Sequence, residues 1–501
     1  MINHSRMLAL PVLSLQGAGE NRSAVTCQLS KLQRTRTLAG LRQNVDVNST
    51  LYYQGIEMYC KTMVILVGLL AALSTGCNRS TVDDKVADKD SAPQTDPTSS
   101  ADAEASNVIF FKPEPDIQKK VQEELILAEP GTIFQFEEGV YNLTDGLSLT
   151  VDDVTIRGRG MDKTILSFKD QEAGAEGLYI TSANVVVEDL AIEDTKGNGL
   201  KSLKANNIVL RRVRAEWTGG PKSTNGAYGL YPVSSENVLV EECVAIGGSD
   251  SGIYVGQSKN VIVRNCKASY NVAGIEIENC HQAEVHGCEV TNNTGGILVF
   301  DLPDLPQQHG HDVRVYNNRV FDNNTKNFAP EGNIVASVPA GTGVMVMANT
   351  NVEIFDNDIR DHGTVSVLLV SYFTTGIEIK DQGYYPYAET IHLHGNTFGA
   401  VGGQPAGVFG QLIKAFVGDT IPDIVWDGVV NKEKMVDGKL APEVGLSIHD
   451  NKKDGGGEVS FANLGGLAAF ANPGSVEVTR DLSGYRQPFP PIDPVSIPGV
   501  Q

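Results

Sequence analysis

The sequence predicts an all-β fold, a single long solenoid of short strands, and three observations carry the prediction. Residues 237–301 hold three near-copies of one unit. Each opens on a polar residue (Asn237, Asn260, Gln282) and an apolar alternation, and each closes on a Gly-Ile strand (Gly252–Val255, Gly274–Ile277, Gly296–Val299). The unit starts continue from Asn184 to Thr390 with spacings of 23, 30, 23, 22, 30, 39 and 39, a base period in the low twenties broken by insertions. The residue six places after each start forms a column: Leu190, Val213, Cys243, Cys266, Cys288, Asn318, Asn357, Asn396. At about 3.3 Å per residue, a 22-residue rung holds three short strands and their turns. A leucine-rich repeat would need a recurring L-x-x-L-x-L frame, which is absent. Val/Ile alternation with Gly and Asn corners fits a right-handed parallel β-helix.

Rungs of such a coil stack about 4.8 Å apart, so like residues sit above like. The Asn run then reads as an internal amide ladder that satisfies buried turn backbone. The Cys run in the same column reads as small buried thiols, with a disulfide between neighbouring rungs geometrically open.

Taken in order, residues 1–57 carry no repeat and read as an upstream or non-native extension. Residues 58–77 combine a short basic start, the apolar run Met63–Leu73 and Ser74-Thr75-Gly76-Cys77. Eleven apolar residues are too few to span a bilayer but suit a secretory signal. The segment resembles a bacterial lipoprotein signal, which implies lipidation at Cys77, export, and anchoring at the periplasmic face of the outer membrane or the cell surface. Residues 78–106 are rich in Asp, Ser, Thr, Ala and Pro without an aromatic residue, and read as a disordered tether.

Residues 107–480 read as the solenoid. Asp116–Ala128 has Ile117, Val121, Leu125 and Ala128 on one helical face and serves as a short N-terminal capping helix. Insertions at about 215–228 and 321–342 precede the Gly-Ile strand, and insertions at about 301–311 and 371–389 follow it. Loops thus flank one strand face, which marks it as the binding face. Residues 481–501 form a proline-rich tail. The net charge is −21; removing residues 1–77, with seven Lys/Arg and three Asp/Glu, takes it to −25. This acidity argues against nucleic acid and anionic membrane surfaces as partners, leaving the lipid anchor as the membrane contact.

The stretches "GSDSGIYVGQSKNVIVRNC", "NVAGIEIENC", "NTGGILVFDLP" and "GNIVASVPAGTGVMVMAN" resemble a family of exported bacterial parallel β-helix repeat proteins of the pectate-lyase-like superfamily, often lipoproteins. Its members tend to be encoded beside a second exported protein, which implies such a partner as an alternative to a polysaccharide. The resemblance brings no catalytic residues to carry over. Mannuronan epimerases carry Tyr-Gly-Phe-Asp-Pro-His on an early rung; here the stretch is Tyr228-Gly229-Leu230-Tyr231-Pro232-Val233, so Tyr231 and Val233 stand at the catalytic Asp and His. The Gly-His-Gly of polygalacturonases is matched only by His309-Gly310-His311, in the wrong order.

Alternation assigns side-chain directions. The outward pairs on the Gly-Ile strands are Lys201/Leu203, Tyr231/Val233, Tyr254/Gly256, Glu276/Glu278, Leu298/Phe300 and Met345/Met347. They predict an exposed platform that binds, and on the enzyme reading processes, a polysaccharide in the manner of a lyase or glycoside hydrolase. Tyr231, Tyr254, Phe300, Lys201, Asp250 and Asp301 would contact substrate, and Glu276 and Glu278 would act as catalytic acid and base. The competing expectation is that insertions bury this face and the residues merely pack. No cofactor is identified; Ca²⁺ is compatible with the acidic residues. His281, His286, His392 and His394 show no metal-ligand spacing and read as surface or turn positions. Arg211, Arg212 and Arg214 read as an ion-paired edge or as a patch for a carboxylated sugar.

Overall fold

The computed structural model describes residues 107–437, 439–466 and 477–500. The segments assigned to the extension, the signal with Cys77 and the tether lie outside these residues. Successive turns of a right-handed parallel β-helix run from Val108–Phe111 to Phe461–Asn463. One face is an eleven-stranded sheet, here the front sheet, built from the Gly-Ile strands. The other two faces merge into one 21-stranded rear sheet, because Val186–Glu193 and Ile208–Glu216 run through the corner between them. Pairing between rungs is parallel throughout.

The rung starts owe their polarity to the backbone. Asn184, Asn207, Asn237, Asn260, Gln282, Asp312, Asn351 and Thr390 all have φ between 52° and 61°. Five residues on, each rung turns through a second left-handed corner, from Asp189 to Gly395. Short polar side chains tolerate this region because they bond locally, whereas a β-branched apolar residue is strained there. The start column is also tied between rungs: Asn207 Nδ2 donates to Asn184 Oδ1 at 2.6 Å and Asn237 Nδ2 to Asn207 Oδ1 at 2.8 Å.

Inside the coil, Ile253, Ile275, Ile297, Val344 and Val367 stack without solvent exposure. Burying each such side chain stabilises the fold by about 1.5–3 kcal/mol. The asparagine ladder is present and extends one rung further than the sequence column, through Asn318, Asn357, Asn396 and Asn451. Cys243, Cys266, Cys280 and Cys288 are buried free thiols. Cys288 Sγ accepts the Cys266 backbone N–H at 3.4 Å, and Asn318 Oδ1 accepts the Cys288 N–H at 2.9 Å. Thiol and amide thus do the same work in one column.

Helix α1 (Ile117–Leu127) buries Ile117, Val121 and Leu125 and packs on the strands Gly139–Asn142 and Leu147–Leu149. Spacing of four residues keeps these three side chains on one face, over the open end of the coil. A second apolar core lies outside the front sheet. Leu298, Phe300, Met345, Met347, Leu368 and Val370 point outward from the coil, and Val335, Val338, Tyr372, Tyr384, Ile413 and Val417 close over them. The cover comes from segments 321–342 and 371–389 and from helix α2 (Gly407–Val417). Residues 489–497 cross the rear sheet as a strap, with Ile497 packed on Leu239 and Ile262. Among the described residues no helix is long and apolar enough to cross a membrane.

Candidate functional site

The front-sheet register places the outward side chains in two columns. Tyr179, Lys201, Tyr231, Tyr254, Glu276, Leu298 and Met345 form one; Leu203, Val233, Gly256, Glu278, Phe300 and Met347 form the other. The directions read from alternation therefore match. The exposed platform needs correction. Tyr254, Phe300, Asp250 and Asp301, expected at its surface, are at most 5% exposed, and Glu276 and Glu278 are 1% and 7% exposed. The physical reason is the second core: an outward row of Leu, Phe and Met is stabilised by covering it, and the insertions supply the cover. The uncovered stretch is the early one, where Tyr179, Lys201 and Tyr231 are half-buried.

Lys201 links that stretch. Its ammonium lies 5.9 Å from the Tyr179 ring centre, 5.2 Å from that of Tyr231, and 3.5 Å from Glu176 Oε1. Behind it Tyr228, Tyr231 and Tyr254 form a triangle with ring centres 4.4, 4.6 and 5.0 Å apart. Tyr254 lies flat along the sheet over Gly256, where a β-carbon would collide with its ring. From there its hydroxyl donates to Glu278 Oε1 at 2.6 Å.

Four carboxyls meet at the edge of the cover. Ser251 Oγ lies 3.1 Å from Asp250 Oδ1 and also contacts Glu276 Oε2. A serine hydroxyl has one proton and donates to only one of them. The other contact is attractive when that carboxyl is protonated. Burial, reinforced by the charges of Asp250 and Glu278, holds Glu276 well above the ordinary carboxylate range, so the proton belongs there. Burial likewise pushes Glu278 to about 7, against the Tyr254 hydrogen bond, and Asp250 to about 6. Asp301 is raised to about 7 by burial, although the Gly310 amide donates to its Oδ1 at 2.8 Å. Such a row can store and exchange protons near neutrality. Its outer partners come from far along the chain: Asn333 Nδ2 donates to Asp250 Oδ2 at 3.1 Å, and the Tyr384 hydroxyl donates to the Asp301 carbonyl. Neither partner shows a signal in the sequence.

Two cavities flank the cover. One of about 630 Å³ lies between Met345, Met347, segment 324–340 and the start of α2. The other, about 420 Å³, has Asp301, His309, Tyr385, Glu389 and Lys434 in its wall. Lys434 Nζ is 2.5 Å from Glu389 Oε2 and 4.7 Å from the Tyr385 ring centre.

The arginine patch is an ion-paired edge: Arg211 meets Glu241 at 2.5 Å, Arg212 meets Asp189 at 2.6 Å and Arg214 meets Glu193 at 2.8 Å. The histidines differ from expectation. Glu353, His392 and His394 come together on the rear sheet, one nitrogen or oxygen of each within 4.8 Å of the others, and His392 is 6% exposed rather than a surface residue. The signal was in the sequence, since Glu353 and His392 both lie two residues after their rung starts, Asn351 and Thr390.

Comparisons with known proteins give a family and a set of backbones. The sequence model of the right handed beta helix region matches residues 139–304 and, overlapping them, 222–398. The A-module of the Azotobacter vinelandii mannuronan C-5 epimerase AlgE4 is 17% identical over 68% of this chain and 91% of that chain, with a TM-score of 0.46. The N-terminal fragment of the bacteriophage Phi29 gene product 12 is 13% identical over 69% and 61%, with a TM-score of 0.44. The family 28 exopolygalacturonase of Yersinia enterocolitica is 13% identical over 60% and 67%, with a TM-score of 0.39. A search of curated proteins gives no match.

Proposed function

Since the chain belongs to the right-handed beta helix family, its binding surfaces are the outer faces of a coil, and we propose that the uncovered stretch of the front sheet binds a polysaccharide. One observation carries this reading: Lys201 is held between the rings of Tyr179 and Tyr231 on successive rungs, outside the second core. Aromatic rings offer flat apolar surfaces to the C–H face of a pyranose, and an ammonium between them pairs with a sugar carboxylate or hydroxyl. The acidic character of the whole chain makes that local cation the point of entry for an acidic glycan.

Processing by Glu276 and Glu278 requires Tyr254 to swing off Gly256, because the tyrosine triangle closes the carboxyl row. A protonated Glu276 would then act as the acid and Glu278 as the base. That closure is also what favours the second reading, a non-catalytic scaffold on which a second exported protein docks.

Isothermal titration of the purified chain against acidic and neutral polysaccharides, with and without Ca²⁺, separates these readings. Tyr231→Ala is expected to weaken glycan binding about tenfold, equivalent to about 1.4 kcal/mol. Product released by wild type and not by Glu276→Gln establishes an enzyme. Absence of binding to every glycan overturns the carbohydrate reading and leaves the scaffold.

The same proposal has the chain exported and anchored through Cys77, at the periplasmic face of the outer membrane or the cell surface. Labelling of growing cells with a palmitate analogue is expected to mark the wild-type chain and not Cys77→Ser. An unlabelled wild-type chain refutes the anchor.

A further inference from the structure

The rear sheet carries a second constellation that owes nothing to the glycan reading. Three neighbouring rungs contribute to it: Thr350–Phe355, Glu389–His394 and Leu446–His449. Their register sets Glu353 opposite His392, Phe355 opposite His394, and His394 opposite His449. Glu353 Oε1 lies 3.0 Å from His394 Nε2 and 3.7 Å from His392 Nδ1. One ligand atom from each of Glu353, His392 and His394 falls within 4.8 Å of the other two.

The protons of this cluster can be counted. The Asp450 carboxylate only accepts, so the His449 Nδ1 at 2.8 Å from its Oδ2 carries a hydrogen. A neutral His449 then has a bare Nε2, which faces His392 Nε2 at 2.8 Å. The shared proton therefore sits on His392 Nε2 and leaves His392 Nδ1 bare. That nitrogen is buried, has no hydrogen-bond partner, and turns towards the Glu353 carboxylate. The unpartnered His392 Nδ1 and the Glu353 carboxylate face each other at 3.7 Å, an arrangement that a bound cation satisfies. Atoms bound tetrahedrally to zinc at about 2.0–2.1 Å are about 3.3 Å apart, and the separations of 3.0 and 3.7 Å bracket that value.

The surroundings fit as well. Ile492 N–H of the strap donates to Glu353 Oε2 at 3.2 Å, and Arg314 Nε lies 3.6 Å from the same oxygen. Both lie on the Oε2 side; Oε1 accepts the His394 Nε2–H, a proton that a bound ion would displace. The Phe489 ring, 5.9 Å from that of His392, covers the site from the strap side. The His394 ring stacks between Phe355 and His449 at interplanar angles of 5° and 9°, which sets its orientation.

We propose that Glu353, His392 and His394 bind a divalent transition-metal ion, zinc being the best match, with Asp450 and His449 orienting His392. Two imidazoles and one carboxylate suit zinc or a neighbouring first-row ion and not calcium, which takes six to eight oxygens. The fourth position is left for water or a ligand atom.

The test is zinc titration of the metal-stripped, purified chain in competition with a chromogenic chelator. A single tightly held ion is expected. His392→Ala and Glu353→Gln are each expected to weaken binding at least about 100-fold, and Asp450→Asn about tenfold, as the loss of an orienting partner does. His281→Ala, at the separate His281–His311 stack, is expected to leave affinity unchanged. Zinc should also raise the unfolding midpoint of wild type and not that of Glu353→Gln, a readout that both folded variants and wild type supply. A wild-type chain that retains no zinc, or equal zinc affinity in wild type, His392→Ala and Glu353→Gln, overturns the proposal.

Discussion

Asn357→Ala is expected to lower stability by about 4 kcal/mol, read from denaturant unfolding and from hydrogen exchange of the flanking rungs. Asn357 sits at the centre of the internal ladder. Its Oδ1 accepts from Asn318 N and Asn318 Nδ2, both at 3.0 Å, and its Nδ2 donates to Val315 O at 2.8 Å and Asn396 Oδ1 at 2.9 Å. Truncation leaves the buried Asn318 N–H without its acceptor and removes the side-chain donor to the Val315 carbonyl. Each buried orphan costs about 1–3 kcal/mol, and the methyl that remains adds nothing back. Because a solenoid rung contacts mainly its neighbours, the loss should appear first as faster exchange in the strands His311–Tyr316 and Thr350–Phe355. A loss below about 1 kcal/mol would show that the ladder is incidental to stability.

Glu278→Gln is expected to change how stability depends on pH. Burial raises the Glu278 carboxyl to about 7 in the folded chain, whereas an unfolded glutamate titrates near about 4.3. Its contribution is therefore fully present below about pH 4 and is lost as pH rises through 7, because the unfolded state gives up the proton first. Asp250, raised to about 6, and Asp301, raised to about 7, act in the same direction for the same reason. Relative to Glu278→Gln, wild type should therefore lose stability as pH rises from 5 to 8. The glutamine keeps an acceptor for the Tyr254 hydroxyl and cannot ionise. At pH 8 it should be more stable than wild type by on the order of 3 kcal/mol, and at about pH 4 nearly equal. Parallel pH profiles for the two chains would show that Glu278 titrates as an exposed carboxylate.

A parallel coil repeats one backbone conformation every rung, so position within the repeat determines direction. The 22- and 23-residue spacings therefore determined which side chains of 184–400 point inward, the polar rung starts that turn through the left-handed region, and the Cys and Asn column. The +2 column also held Glu353 and His392 on successive rungs, but not the convergence of their ligand atoms with His394, which side-chain packing decides.

Only the tertiary structure decided what lies over each outward face. Side chains such as Phe300 and Met347 point away from the coil whether or not anything covers them, and periodicity says nothing of insertions that leave the period. Their folding back turned the expected platform into a second core and confined open surface to Tyr179, Lys201 and Tyr231. The contacts that set the chemistry are of the same kind. Asn333 meets Asp250 across 83 residues, and Ile492 meets Glu353 across 139. Local pattern carries no record of such pairs, because they form only when non-repeating segments find the one part of the coil whose shape and hydrogen-bonding groups they complete.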